Sequence, residues 1–563
     1  MSSNAIEAHG VRVAVEGCGH GTLDAIYAAV AESCRARGWH GVDLLIIGGD
    51  FQAVRNAADL SVMSCPVKYR RLGDFPDYYA GKRTAPFLTI FVGGNHEASS
   101  HLWELFYGGW VAPNIYYMGA ANVVRFGPIR IAAMSGIWKG FDYKKTHHER
   151  LPFSDDDVKS FYHVREVDVR KLLLLQTQVD IGISHDWPRH IENHGDAARL
   201  FRKKPDFRRD SQSGQLGSIA AEYVMDRLRP PHWFSAHMHI KFAALKQYQD
   251  APPVGPSAVA SGDHSALPGE EANPDEIDLG MGMGGDDDDD DAENDEEQKF
   301  SEASTSGETN QVSEELRAQL PASFAKPQPK GNHRPGQPVP LGIKNKQVRF
   351  LALDKCLPGR HFLQLCEVKP FNPADLAAYP PRSSNRRYQL EYDPEWLAIT
   401  RVFHNTLNIG DKGAQPCPDL GEEHYLPLIE AERFWVEENI VGKGRLEVPE
   451  NFELTAPPHV PGTPEIVDEQ PEEYTNPQTA AFCRLLELRN LWNASAEDRK
   501  ARRDQGPPPS EYQGHRRGFG GRGGRGGGRG GGRGGGRGGG RGGGRADGRG
   551  RGVNRGRGYR GHW

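Results

Sequence analysis

The sequence contains no run approaching the ~18 consecutive apolar residues that a transmembrane helix needs. A membrane-spanning protein is not expected. Its first residues lack a basic region followed by an apolar one, so no secretory signal is expected either. Cysteine is scarce. Cys18, Cys34, Cys65, Cys356, Cys366, Cys417 and Cys483 are scattered, odd in number and without CxxC spacing. This excludes a disulfide framework and fits a reducing compartment. Large apolar residues are nearly absent from two tracts. From His515 to Trp563 there are 14 Arg, one Asp, no Lys and 26 of the 68 Gly, a net of +13. From Glu270 to Glu297 there are 15 acidic residues and no Lys or Arg. Neither tract can offset its chain entropy by burial, so both are expected to be disordered. The formal charge of −6 over 563 residues therefore conceals a division, and the rest of the chain carries only −4.

The remainder reads as folded, and its length fits two or more domains plus linkers. Residues 1–10 are a flexible start. Residues 11–250 carry short apolar runs closed by Gly or polar clusters: Val11–Val15, Leu44–Ile47, Phe87–Val92, Ile129–Ala133, Ile181–Ser184 and Trp233–Ser235. Such runs predict buried strands. Leu23–Arg35, Val164–Gln176 and Leu216–Leu228 carry helical stripes. A layered α/β domain follows. Residues 251–344 read as a disordered acidic linker. Strands return at Val348–Leu353 and His361–Leu365, and Asn476-Pro477 opens a helix. Residues 345–495 are thus expected as a second folded unit packed on the first, and 496–563 as an Arg/Gly-rich tail.

Five short signals end apolar runs in the first domain: Gly17-Cys18-Gly19-His20-Gly21, Gly48-Gly49-Asp50, Gly93-Gly94-Asn95-His96-Glu97, Ser184-His185-Asp186-Trp187-Pro188 and Ala236-His237-Met238-His239. Taken singly, each is ordinary turn chemistry or a buried cysteine. Together they are not, because loops leaving one edge of an α/β sheet converge in space. Thiolate, imidazole and carboxylate are the inventory of a transition-metal site. Among the many imidazoles, the strand-end carboxylate Asp50 is read as bridging two ions. His101, His147 and His148 are expected to be structural or solvated.

The ordered set resembles the metallophosphoesterase superfamily, with two departures: Cys18 stands where an Asp is usual, and Ala236 where a Gly is usual. The cysteine exchange resembles the RNA lariat debranching enzyme family. Further segments agree with that family: Ser135–Gly140, Tyr162–Arg165, Phe201–Pro205 and Phe350–Cys356. The resemblance covers about residues 10–250 and 345–495. It implies a layered metallophosphoesterase-type β-sandwich flanked by helices, with a C-terminal family-specific domain. It implies one metal pocket of Cys18, His20, Asp50 and His239, a second of Asp50, Asn95, His185 and His237, and a catalytic His96. Two divalent ions are implied, and thiolate softness favours Zn²⁺ or Fe²⁺ over Mg²⁺, with Mn²⁺ also workable. The implied reaction is hydrolysis of the 2′–5′ phosphodiester at the branch point of excised intron RNA, in the nucleus.

Residues 136–165 correspond to the family's lariat recognition loop. Their Trp138, Lys139, Tyr143, Lys144, Lys145 and Arg150 combine aromatics with cations, which suits RNA contact. The basic stretch Arg202–Arg209 is open to RNA contact or nuclear import. The Arg/Gly tail is expected to bind RNA or RNA-associated proteins. Two other readings stand beside this one: another metallophosphoesterase, acting on DNA or phosphoproteins, and a non-catalytic RNA-binding scaffold. Cys18 and the block after Gly136 argue against the first. The retention of a ligand-capable side chain at every metal position argues against the second.

Overall fold

The apolar runs become strands whose alternate residues face two different cores. The computed structural model describes residues 10–249, 334–382 and 386–510. The first nine residues, most of the expected acidic linker (250–333) and the tail from 511 onward lie outside the described residues. The strands are β1 (Val11–Glu16), β2 (Leu44–Ile47), β3 (Thr89–Phe91), β4 (Gly109–Ala112), β5 (Ile115–Tyr117), β6 (Ala121–Phe126), β7 (Ile129–Met134), β8 (Ile181–Ser184), β9 (His232–Ser235), β10 (Phe242–Gln247), β11 (Gln347–Ala352), β12 (Leu363–Val368) and β13 (Leu390–Tyr392). They form a six-stranded sheet, β12-β1-β2-β3-β5-β4, and a seven-stranded sheet, β10-β11-β9-β8-β7-β6-β13.

Strand periodicity explains the layering. Val11, Val13, Val15, Leu44, Ile46 and Ile90 of the first sheet share a core with Ile131, Ile181, Ile183 and Trp233 of the second. Ala14, Leu45, Ile47 and Phe91 point the other way, onto Leu23, Ile26, Tyr27, Val30 and Cys34 of the helix Leu23–Ala36. On the second sheet, the helices Glu166–Leu173 and Ile219–Leu228 pack against one another and against β6 and β8. The result is a layered α/β fold, two mixed sheets flanked by helices.

The segment after residue 345 shares both sheets with the first domain. β11 lies in the second sheet between β10 and β9, parallel to β9 (Arg349↔His232 to Ala352↔Ser235). β12 pairs antiparallel with β1 (Val11↔Val368 to Glu16↔Leu363). Between them the chain passes close to Gly17, where a Cβ would stand 2.1 Å from the Asp354 carbonyl oxygen. β13 edges the second sheet, and its end is locked by Arg130 of β7, which pairs with Asp393 (2.7 Å) and Glu395 (2.9 Å). Asp393 also caps the helix Pro394–His404, accepting the Trp396 N–H.

Two expected disordered ends are ordered. Residues 334–344, read as linker, are packed: Arg227 donates to the carbonyls of Gly336 (3.1 Å) and Pro338 (3.0 Å), and Ile343 is buried. Residues 496–505, read as tail, form a helix capped by Ser495, and its Arg502 pairs with buried Glu473 at 2.7 Å. Local composition is polar in both, but distant partners supply the ordering energy.

Arg130→Ala leaves Glu395 buried without its cation and Asp393 with only the 3.2 Å pairing to Arg125. It is expected to lower unfolding free energy by about 3–5 kcal/mol, measured by chemical denaturation.

Candidate metal centre

The parallel strands β1, β2, β3, β8 and β9 all end on the same side of the sandwich. Their exit loops carry the five sequence signals. Sharp turns follow, with His20 (φ 42°), Asp50 (φ 45°), His237 (φ 61°) and His239 (φ 48°) all in the left-handed region. Backbone strain of this kind persists only where the surroundings over-determine it. Two glycines make the approach possible. A Cβ at Gly49 would stand 2.2 Å from His185 Nδ1, and one at Gly94 would stand 2.1 Å from Asp50 Oδ1.

The loops bring the predicted residues together in two groups around Asp50. In the first, donor atoms of Cys18, His20, Asp50 and His239 all lie within 4.8 Å of one another. His20 Nε2 is 3.7 Å from Asp50 Oδ2 and 3.2 Å from His239 Nε2. In the second, His185 Nε2 is 3.4 Å from both Asp50 Oδ1 and Asn95 Oδ1, and its ring centroid is 4.9 Å from that of His237. The backbone N–H of His237 donates to Cys18 Sγ at 3.2 Å, linking the groups. His96 is half-buried beside them, its ring 5.8 Å from His20, and its backbone N–H donates to Asp50 Oδ1 at 2.9 Å.

The electrostatics suit a cation. Burial alone would raise the Asp50 carboxyl, but His185, His96, His20 and His237 more than offset it and hold it well below the usual carboxylate range. Burial, helped by neighbouring imidazoles, brings His20 down to about 4, His237 to about 3 and His239 to about 2. These rings are therefore neutral at pH 7, the form that ligates. His185 donates Nδ1–H to the Gly48 carbonyl at 2.9 Å, which leaves the Nε2 lone pair free, beside the Asp50 and Asn95 oxygens, to ligate an ion. Burial, and then Asp50, push the Cys18 thiol well above its ordinary value. Such a thiol loses its proton readily only beside a cation. The donor set fits a divalent ion.

Sequence reasoning missed two residues that hold the loops. Buried Glu97 accepts the backbone N–H groups of Phe51 (2.8 Å), Gln52 (2.8 Å) and Gly94 (3.1 Å), tying the Asp50 loop to the Asn95 loop. Burial raises its carboxyl to about 8. Asp186 accepts from the N–H of Trp138 (3.2 Å) and of Trp187 (2.8 Å), tying the His185 loop to residues 136–165. The signal was present in both cases, as an acid directly after a Gly-Asn-His or Ser-His block.

Within 136–165, half-buried Trp138 and Tyr143 pack ring against ring at 4.8 Å. Lys144 and Lys145 are exposed, and Lys145 pairs with Asp142 at 2.6 Å. Lys139 stands near enough to His237 for its charge to be felt there. Arg150 departs from expectation. It forks onto Glu473 (3.0 and 2.8 Å), the same carboxylate that holds Arg502, so it anchors the loop instead of presenting a cation to RNA. His101 is buried on the helix Ser99–Glu104, bonded to the Ala53 carbonyl, as a structural histidine should be.

Residues 11–241 match the family model described as calcineurin-like phosphoesterase, and residues 345–491 match the lariat debranching enzyme C-terminal domain. A lariat debranching enzyme of Schizosaccharomyces pombe is 40% identical over 489 residues, 85% of this chain and 96% of its own length. The Homo sapiens lariat debranching enzyme is 37% identical over 84% of this chain and 69% of its own length. That of Arabidopsis thaliana is 33% identical over 86% and 88%.

Glu97→Ala removes the acceptor shared by three backbone donors. It is expected to weaken divalent metal affinity about 10–100-fold, measured by metal titration of the folded variant.

Proposed function

The chain belongs to the lariat debranching enzyme family, and on that premise we propose that it hydrolyses the 2′–5′ phosphodiester at the branch point of excised intron RNA, linearising the lariat in a metal-dependent reaction. The observation that carries this reading is the meeting of Cys18, His20, Asp50 and His239 at one end of a phosphoesterase sandwich, in a chain whose relatives bear the same name.

We assign two divalent ions, one to Cys18, His20, Asp50 and His239, the other to Asp50, Asn95, His185 and His237. Bound ions would supply Lewis-acid polarisation of the phosphodiester and a lowered pKa for water. The chain's own residues do the rest. Asp50 turns one carboxylate oxygen toward each donor group. His185 is held by Gly48 in the tautomer that faces inward. His96, anchored to Asp50 through its backbone, is the proton donor to the leaving 2′ oxygen, an alkoxide too basic to depart unprotonated. Trp138 and Tyr143 offer a face to a base, while Lys139, Lys144 and Lys145 meet phosphates. The Cys18 thiolate favours Zn²⁺ or Fe²⁺, with Mn²⁺ also serving, over Mg²⁺. We place the reaction in the nucleus, where introns are excised. The tail beyond residue 510 holds RNA or RNA-associated proteins through its arginines.

The test is a synthetic RNA with a single 2′–5′ bond, with and without chelator. Chelator-sensitive release of a 2′-hydroxyl and a 5′-phosphate is expected. Cleavage of only DNA or phosphoproteins, or binding without cleavage, overturns the reading. His96→Ala should keep its metal and lower turnover by about 10²–10⁴-fold; unchanged turnover removes the assigned role. Cys18→Asp should shift activity toward harder ions such as Mg²⁺, and identical metal dependence would remove Cys18 as a ligand.

A further inference from the structure

The C-terminal segment reaches the metal centre itself. Past β11 the backbone leaves the second sheet and pairs with the first: Cys18 and Lys355 form a parallel bridge, the Cys18 N–H donates to the Asp354 carbonyl (3.4 Å), and the Cys356 N–H donates to the Cys18 carbonyl (3.2 Å). Residues directly opposed in a parallel pairing project to the same face. The Lys355 side chain therefore leaves the backbone on the side of Cys18 Sγ. Its charge is felt at both His20 and His239, the imidazoles of the same donor group.

That ammonium makes no ion pair among the described residues, although its charge is felt at the neighbouring Asp354. Lys355 is half-buried, and among the described residues no carboxylate pairs with its Nζ. The nearest acid in sequence, Asp354, accepts the backbone N–H of Lys355 (2.8 Å) and turns its other oxygen to Arg360 (3.8 Å). Lys145 in the 136–165 loop pairs with Asp142, whereas Lys355 makes no ion pair among the described residues. A half-buried cation without a direct ion pair, beside rings that are neutral, is free to meet an incoming anion. The incoming anion that suits it is a phosphodiester, which a lysine meets as a point charge.

We propose that Lys355 is a substrate-binding residue that holds a backbone phosphate of the branched RNA on the Cys18 side of the centre. This rests on the debranching function proposed above. It makes the C-terminal segment part of the substrate site as well as of the sheets.

The experiment uses the full chain and a branched RNA with one 2′–5′ bond. Lys355→Gln keeps the stem and removes the charge; Lys355→Arg keeps a charge. With chelator present, so that RNA stays intact, binding is measured across a salt series. Lys355→Gln should bind about tenfold more weakly, the loss of one charge-assisted contact. Its plot of log affinity against log salt should be shallower by about 0.7. Lys355→Arg should restore most of both. With metal restored, KM should rise in Lys355→Gln while metal content stays at the parent level. Parental affinity and salt slope in Lys355→Gln overturn the proposal. So does loss of metal or of folding in both variants, which would make Lys355 a support for the Cys18 loop. Absence of cleavage by the parent chain would sink the function reading instead, a result distinct from either.

Discussion

One buried negative charge, Asp50, sets the terms for the site. It is 1% exposed, on left-handed backbone, with imidazoles on both sides. Burying a lone carboxylate is expensive, and hydrogen bonds or opposite charge must compensate. Here the compensation is a backbone N–H from His96 and an environment built to receive cations. Four non-glycine residues hold strained backbone in the same small volume. Each such residue costs on the order of 1–3 kcal/mol. Only a rigid frame tolerates that, and the frame is the pair of sheets whose parallel strands deliver five loops to one edge.

The C-terminal segment belongs to this frame. β11 continues the second sheet beside the strand that carries His237 and His239, and β12 covers the open edge of the strand that carries Cys18. The sheets therefore include strands from both family-matched regions. The same topology fixes where the acidic interval is attached. The interval 250–333, which includes the 15-acid tract, joins the end of β10 to the start of β11. That is the end of the sheet opposite the metal loops, because β11 runs parallel to β9. An anionic substrate approaching the loops does not meet the tract's points of attachment.

Much of this was legible from residues alone. Runs such as Leu44–Ile47 and Ile181–Ser184 coincide with strands because they are buried on both faces and bounded by glycine or polar turns. The five loop signals were readable because ligand types cluster at strand ends. β10 was not legible: Phe-Ala-Ala-Leu-Lys-Gln alternates weakly and makes an edge strand exposed on one face. β13, with only three residues, gave no period to detect. The helix Ala496–Gln505 has no buried residue, and its order comes from Glu473, far away in sequence. Arg150 shows the same limit. Among Trp, Tyr and Lys it reads as an RNA contact, and only the fold reveals the carboxylate that claims it.

The insertion of β11 beside β9 also dictates an order of events as the chain is made. When Ser235 has emerged, β9 has no neighbour on its outer side, and β1 lacks β12. Both edges stay unpaired until the ribosome has passed Gln347 and then Leu363. At ordinary rates of synthesis that interval is on the order of ten seconds. Exposed strand edges recruit other chains during such delays. The nascent protein thus carries a window of vulnerability to aggregation, and it closes only when β11 and β12 arrive.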